Sequence, residues 1–162
     1  FEDFLNLLGG EMVRDLALYL SQHAASTVEI TSIDDLQQFN QQDLESRAPY
    51  GQDLVDMMAD LNLPSARLQE IGDQLQSSAR DFLEGIFSES NLQVLLSVNA
   101  SNAGVAALAN YPALTVPMGY TEEGDPVGLT FIAPSFEEQV LVDIAAQFER
   151  LSNARRIPAQ YQ

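Results

Sequence analysis

The stretch NYPALTVPMGYTEEGDPVGLTFIAPS, Asn110 to Ser135, sets four prolines and three glycines around two short apolar runs. Proline has no N–H to give and a fixed φ, so it cannot continue a helix interior. The stretch therefore reads as two strands, ALTVPMG and VGLTFIA, joined by YTEEGDP with Gly124, Asp125 and Pro126 making the turn. So short a joint excludes a parallel crossover. The expected unit is an antiparallel hairpin of Ala113–Gly119 with Gly128–Ala133. Pro117 denies its strand one N–H, so that strand has a free side or ends there. Gly119 and Gly128 predict a bulge or a close backbone approach. Pro134-Ser135 stops the second strand. Ser135 with Glu138 predicts a capping box for a helix with the stripe Phe136, Val140, Leu141, Ile144, Ala145, Phe148 and Leu151.

Upstream the chain is amphipathic helix. Phe1 to about Gln22 carries helical spacing with a break or kink expected at Gly9-Gly10. An extended linker, STVEITS, precedes Ser32, the expected N-cap of a helix burying Ile33, Leu36 and Phe39. After a turn at Pro49 and Gly51, a short helix faces Leu54, Met58 and Leu61 inward. Pro64-Ser65 opens a longer helix with the stripe Leu68, Ile71, Leu75, Ala79, Phe82, Leu83 and Ile86. LQVLLSV, Leu92 to Val98, reads as a buried strand of the kind parallel sheets use, and SNAGVAALAN as a short helix packed close to other backbone. The fold class is α/β: a helix-rich first half, then a few-stranded mixed sheet with an antiparallel hairpin and a C-terminal capped helix. One domain is expected over 1–162, with 1–90 mainly helical and 91–162 a strand-hairpin-helix core.

The net charge is −17, and all seven basic residues are arginine. Neutralising a nucleic-acid backbone needs clustered cations, so nucleic acid is excluded as a partner, and an anionic membrane surface is disfavoured likewise. No apolar run is long enough to span a bilayer. The compartment is left open, with a soluble cytoplasmic protein favoured. Without cysteine there is neither a thiolate nucleophile nor a disulfide framework. The sole histidine, His23, cannot anchor a zinc or iron site. No lysine is present, and arginine stays protonated, so no cation here can act as a base near neutral pH. The acidic pairs Asp34-Asp35 and Glu137-Glu138 lie beside helix N-termini, where they suit the helix dipole. No phosphate-binding or dinucleotide glycine pattern occurs, and no cofactor or metal is expected.

One block is specific: Pro112-Ala113-Leu114-Thr115-Val116-Pro117-Met118-Gly119, then Pro126-Val127-Gly128-Leu129, then Ala145, Ala146, Phe148 and Glu149. Arg155-Arg156 with Pro158 follows it. This block resembles the C-terminal part of amidase signature family hydrolases. EMVRDLALYLSQ, TSIDDLQQFN and YGQDLVDMMAD extend the likeness to nearly the whole chain. The resemblance makes Pro112, Pro117, Met118, Gly119, Pro126 and Gly128 structural motif positions of a partial amidase-signature-type fold. It implies hydrolysis of carboxamides by a Ser–cis-Ser–Lys triad on an upstream lysine and a Gly/Ser-rich segment, neither of which this sequence contains. The chain alone is then expected to be inactive. It departs from the family where LLSVNAS replaces a strand ending in a Thr-Pro type motif. Asn99, Ser101 and Asn102 are expected to form a wall of the substrate pocket, because they follow the C-terminal end of a buried strand. The implied partners are the missing N-terminal half of the same protein, or a second copy, and a small amide substrate. The alternatives are an A-subunit-like part of a tRNA-dependent amidotransferase and a non-catalytic interaction module.

Overall fold

The computed structural model describes residues 2–158 and divides at Leu75/Gln76 into two compact units. The first contains helices α1 (Glu2–His23), α2 (Ile33–Gln41), α3 (Leu44–Arg47) and α4 (Asp53–Asp60), with the start of α5 (Ser65–Glu89). The break expected at Gly9-Gly10 does not occur, and α1 runs through both glycines. Packing is the reason. A Cβ added to Gly9 would lie 3.2 Å from the Leu61 side chain, and one on Gly10 would lie 2.5 Å from that of Leu68. The glycines let neighbouring side chains approach the α1 backbone, and those contacts offset their poor helix propensity. Ser32 caps α2 as expected, its Oγ accepting from the Asp35 N–H at 3.1 Å. Leu54 of α4 is exposed rather than inward, while Ile33 and Ile71 are buried.

The second unit holds the rest of α5, strand β1 (Leu95–Val98), helix α6 (Ala103–Ala109), strands β2 (Ala113–Tyr120) and β3 (Pro126–Ile132), and helix α7 (Glu138–Ser152). The α/β class and the antiparallel hairpin stand as expected, but the sheet is not mixed: its order is β1-β3-β2, and both pairings are antiparallel. The physical reason is the hairpin. The crossover through α6 does leave β1 and β2 parallel, yet the returning strand β3 is inserted between them.

The sheet separates two clusters. On one face Val116, Phe131, Leu114 and Leu129 pack against Leu141, Ile144, Ala145 and Phe148 of α7, with the Phe131 and Phe148 rings edge to face at 6.0 Å. On the other, Ala79, Leu83 and Phe87 of α5 meet Val105, Leu108 and Ala109 of α6 together with Leu95 and Tyr111. Phe82, expected in the core, is exposed. The buried set runs at steps of four, Ala79, Leu83 and Phe87, which puts Phe82 on another side of the helix. The capping box is absent too: α7 begins at Glu138 with no side-chain cap, and the Ser135 hydroxyl donates instead to the Asn110 carbonyl at 2.9 Å. Phe136, at φ 68°, turns the chain before the helix and is itself exposed.

Candidate functional site

The three residues expected to wall a pocket lie in the turn between β1 and α6, and all three are exposed. Asn99 adopts a left-handed φ of 51°, which an Asn tolerates better than most residues. Its N–H donates to the Gly128 carbonyl at 2.8 Å, and its Oδ1 accepts from the Gly128 N–H at 2.7 Å. Its carbonyl accepts from the Thr130 hydroxyl, and Thr130 in turn pairs with the Thr115 hydroxyl at 2.6 Å. A chain of polar contacts thus links the end of β1 to β3 and then β2. Asn102 Nδ2 donates to the Ser97 hydroxyl at 3.0 Å, and the Ser101 hydroxyl donates to the Val98 carbonyl at 2.8 Å. A hydroxyl directed at a carbonyl is not activated, since activation needs a base positioned to take its proton. His23 packs against Tyr19 within the first unit, ring centroids 5.0 Å apart.

The motif positions have evident structural tasks. Gly128 sits opposite Pro117, and an added Cβ there would meet the Thr115 methyl at 2.7 Å. Between Pro117 and Gly119 the register shifts, the bulge expected of Gly119. Gly124 holds φ 95° in the turn, closed by the Thr121 N–H donating to the Asp125 carbonyl at 2.9 Å. Pro117, Gly119, Pro126 and Gly128 also line an open groove of about 900 Å3, with Arg155 and Arg156 on its other wall. Tyr120 ties that wall down: its hydroxyl accepts from the Arg156 N–H at 3.1 Å, and the Arg156 guanidinium lies over its ring at 5.0 Å. Met118 is exposed, and Pro112 offers its carbonyl to the Ala133 N–H at 3.2 Å.

Sequence reasoning missed the Thr115–Thr130 pair and the clasp by Tyr120. The first had a signal, because the dipeptide Leu-Thr recurs in both hairpin strands and the register sets Thr115 opposite Thr130. The second had none, since thirty-six positions separate Tyr120 from Arg156. Elsewhere, burial raises the Tyr111 hydroxyl above its ordinary value, with the charge of Glu84 adding to the effect. Among the described residues no three His, Asp or Glu gather as metal ligands, and no helix is long and apolar enough to cross a membrane.

No family model matches the chain. A solved amidase family protein of Bacillus anthracis superposes on 95% of it with a TM-score of 0.84 at 29% identity. The chain is thus similar to amidase family proteins over most of its length. It covers 30% of that Bacillus structure. A probable amidase of Arabidopsis thaliana is 29% identical over 85 residues, 52% of this chain and 17% of the plant protein. The A-subunit of the glutamyl-tRNA(Gln) amidotransferase of Syntrophus aciditrophicus is 51% identical over 45 residues, 28% of this chain and 9% of the bacterial protein. The chain thus spans under a third of the length of each of these relatives.

Proposed function

We propose that these 162 residues form the C-terminal part of a domain that hydrolyses carboxamide bonds, and that the triad lies outside them. The observation that carries this reading is the superposition on an amidase family protein over 95% of the chain. In the proposed reaction the nucleophilic serine attacks the amide carbonyl, ammonia or an amine leaves, and water hydrolyses the acyl-enzyme. Ser, bridging Ser and Lys come from the other part of the domain. This part supplies hairpin, sheet and one pocket wall, with Asn99, Ser101 and Asn102 at the rim. Held in place by Gly128, Val98 and Ser97, they would shape the pocket rather than react. A glutamine-hydrolysing component of an amidotransferase is the second reading, favoured by the 51% identical stretch.

The test is ammonia release from carboxamides, with free glutamine as a separate substrate. The full-length protein containing these residues should release ammonia, and the 162-residue chain should not exceed background. Turnover by the purified chain, abolished by Ser101→Ala or His23→Ala, would show a site within it. A full-length protein inert toward every amide would overturn the reading.

A further inference from the structure

The seven arginines of this acidic chain are not partnered alike. Arg14 and Arg67 pair with carboxylates, and Arg47 and Arg80 donate to the carbonyls of Phe39 and Ala109. The other three, Arg150, Arg155 and Arg156, fall together at and beyond the end of α7. Among the described residues none of the three forms an ion pair with a carboxylate. Arg155 makes no side-chain hydrogen bond there either. The negative end of the α7 dipole accounts for Arg150, which lies in the last turn. Arg155 and Arg156 lie past the left-handed turn at Asn153, so they need another reason.

Both stand on one wall of the open groove of about 900 Å3 beside the hairpin. That is the size of a site for a small organic molecule. Pro117, Val127 and Ile157 give it an apolar lining, and Glu122 is the only carboxylate among its described lining residues. Two arginines against one glutamate make the groove positive within a chain of net charge −17. The wall is also held in place. The Arg156 N–H donates to the Tyr120 hydroxyl, and the Arg156 guanidinium lies over the Tyr120 ring. A ring contact uses the face of a guanidinium. Its N–H donors lie in its plane, so they are left for a ligand.

We infer that the groove is a binding site for a small organic carboxylate, whose charged end bonds to Arg155 and Arg156 and whose apolar body lies along Pro117, Val127 and Ile157. The planar fork of an arginine matches the two oxygens of a carboxylate, and such charge-assisted pairs are the strong ones. A cation would meet two like charges on the same wall. An uncharged molecule of the same shape would keep the apolar contacts and lose the charged ones. The inference does not rest on the proposed amide hydrolysis, since it calls for binding alone and no triad.

Titration calorimetry with phenylpropionate as the probe tests this, on the full-length protein containing these residues and on the 162-residue chain. Both should bind the acid, and both should bind phenylpropanol and phenylpropylamine at least about tenfold more weakly. Arg155→Gln removes a side chain without a partner among the described residues, so the fold should survive. It should weaken binding about tenfold or more, the loss of a charge-assisted hydrogen bond. Arg155→Lys, which keeps the charge and loses the fork, should fall between the two. Glu122→Gln removes the opposing charge and should tighten binding. In the nuclear magnetic resonance spectrum of the chain, the Gly128 amide, which lines the groove, should shift on saturation. Equal affinity for acid and alcohol overturns the inference, and so does no detectable binding of the acid. Binding that survives Arg155→Gln overturns it too, because the acid then sits elsewhere. So does binding by the chain alone, which would mean that the groove is covered in the full-length protein. A full-length protein that binds the acid but is inert toward amides would sink the proposed activity and leave this site standing.

Discussion

Asparagine does at the residue scale what glycine is usually asked to do. Five described residues other than glycine hold positive φ, and four are Asn91, Asn99, Asn110 and Asn153. Each follows the end of an element: α5, β1, α6 and α7 in turn. Asn enters the left-handed region at lower cost than other side-chain-bearing residues because its short amide can bond locally. Asn99 adds a second task, since its Oδ1 accepts from Gly128 at 2.7 Å. Asn99→Ala should therefore lose a hydrogen bond and strain the backbone, at about 1 kcal/mol each, or about 2 kcal/mol together. Asn99→Gly keeps the φ and should lose only about half as much. Urea unfolding with an unchanged m-value measures both, and equal losses would show that the left-handed turn contributes nothing. Phe136, the fifth residue, has no such amide, and its ring is 93% exposed.

At the scale of elements, the start of α2 is the most self-contained. Asp35 accepts from the Thr31 hydroxyl at 2.7 Å and the Thr31 N–H at 2.8 Å, while its own N–H donates to Ser32 Oγ. The Thr31 hydroxyl, then the backbone N–H groups and Ser32, hold its carboxyl below the ordinary carboxylate value. A depressed folded-state pKa means that the stabilisation is complete above the unfolded value, about 3.9, and is lost as pH falls through the folded value. Lowering the pH from 6 to below 4 should thus lower the thermal midpoint, and Asp35→Asn should lessen that drop. An identical drop in the variant would remove Asp35 as a contributor. Which elements the sequence revealed follows from the same distinction between local and distant causes. Ser32 and Pro64-Ser65 act within one turn, and the helices begin where they predict. The hairpin was legible because proline, glycine and a joint as short as YTEEGDP leave the chain few choices. Gly9-Gly10 misled because Leu61 and Leu68, far along the chain, decide what a glycine in α1 is for. Ser135 misled because the Asn110 carbonyl, across the fold, competes for its hydroxyl. Asn99, Ser101 and Asn102 were placed correctly at a strand end, but what they bond to is set by β3 and β1 together.

For the whole molecule the acidic surplus outweighs the few exposed ion pairs. Arg14 with Asp15 and Glu11, and Arg67 with Glu70, are surface contacts, which stabilise little and are weakened by salt. Repulsion within a chain of charge −17 opposes compactness, and it too is screened beyond about 10 Å at 0.1 M salt. Repulsion is the larger effect, so the thermal midpoint should rise as sodium chloride goes from about 10 to about 150 mM. A falling midpoint would mean that the ion pairs dominate. The insertion of β3 between β1 and β2 also has a consequence in time. On the ribosome β1 emerges before the strand it must pair with. About thirty residues separate Val98 from Leu129, so at a synthesis rate of about 5–20 residues per second β1 waits for seconds with no partner. During that interval the side of Leu-Leu-Ser-Val that β3 will occupy is open, and a nascent chain halted in the hairpin turn would be a better target for a chaperone than the finished protein.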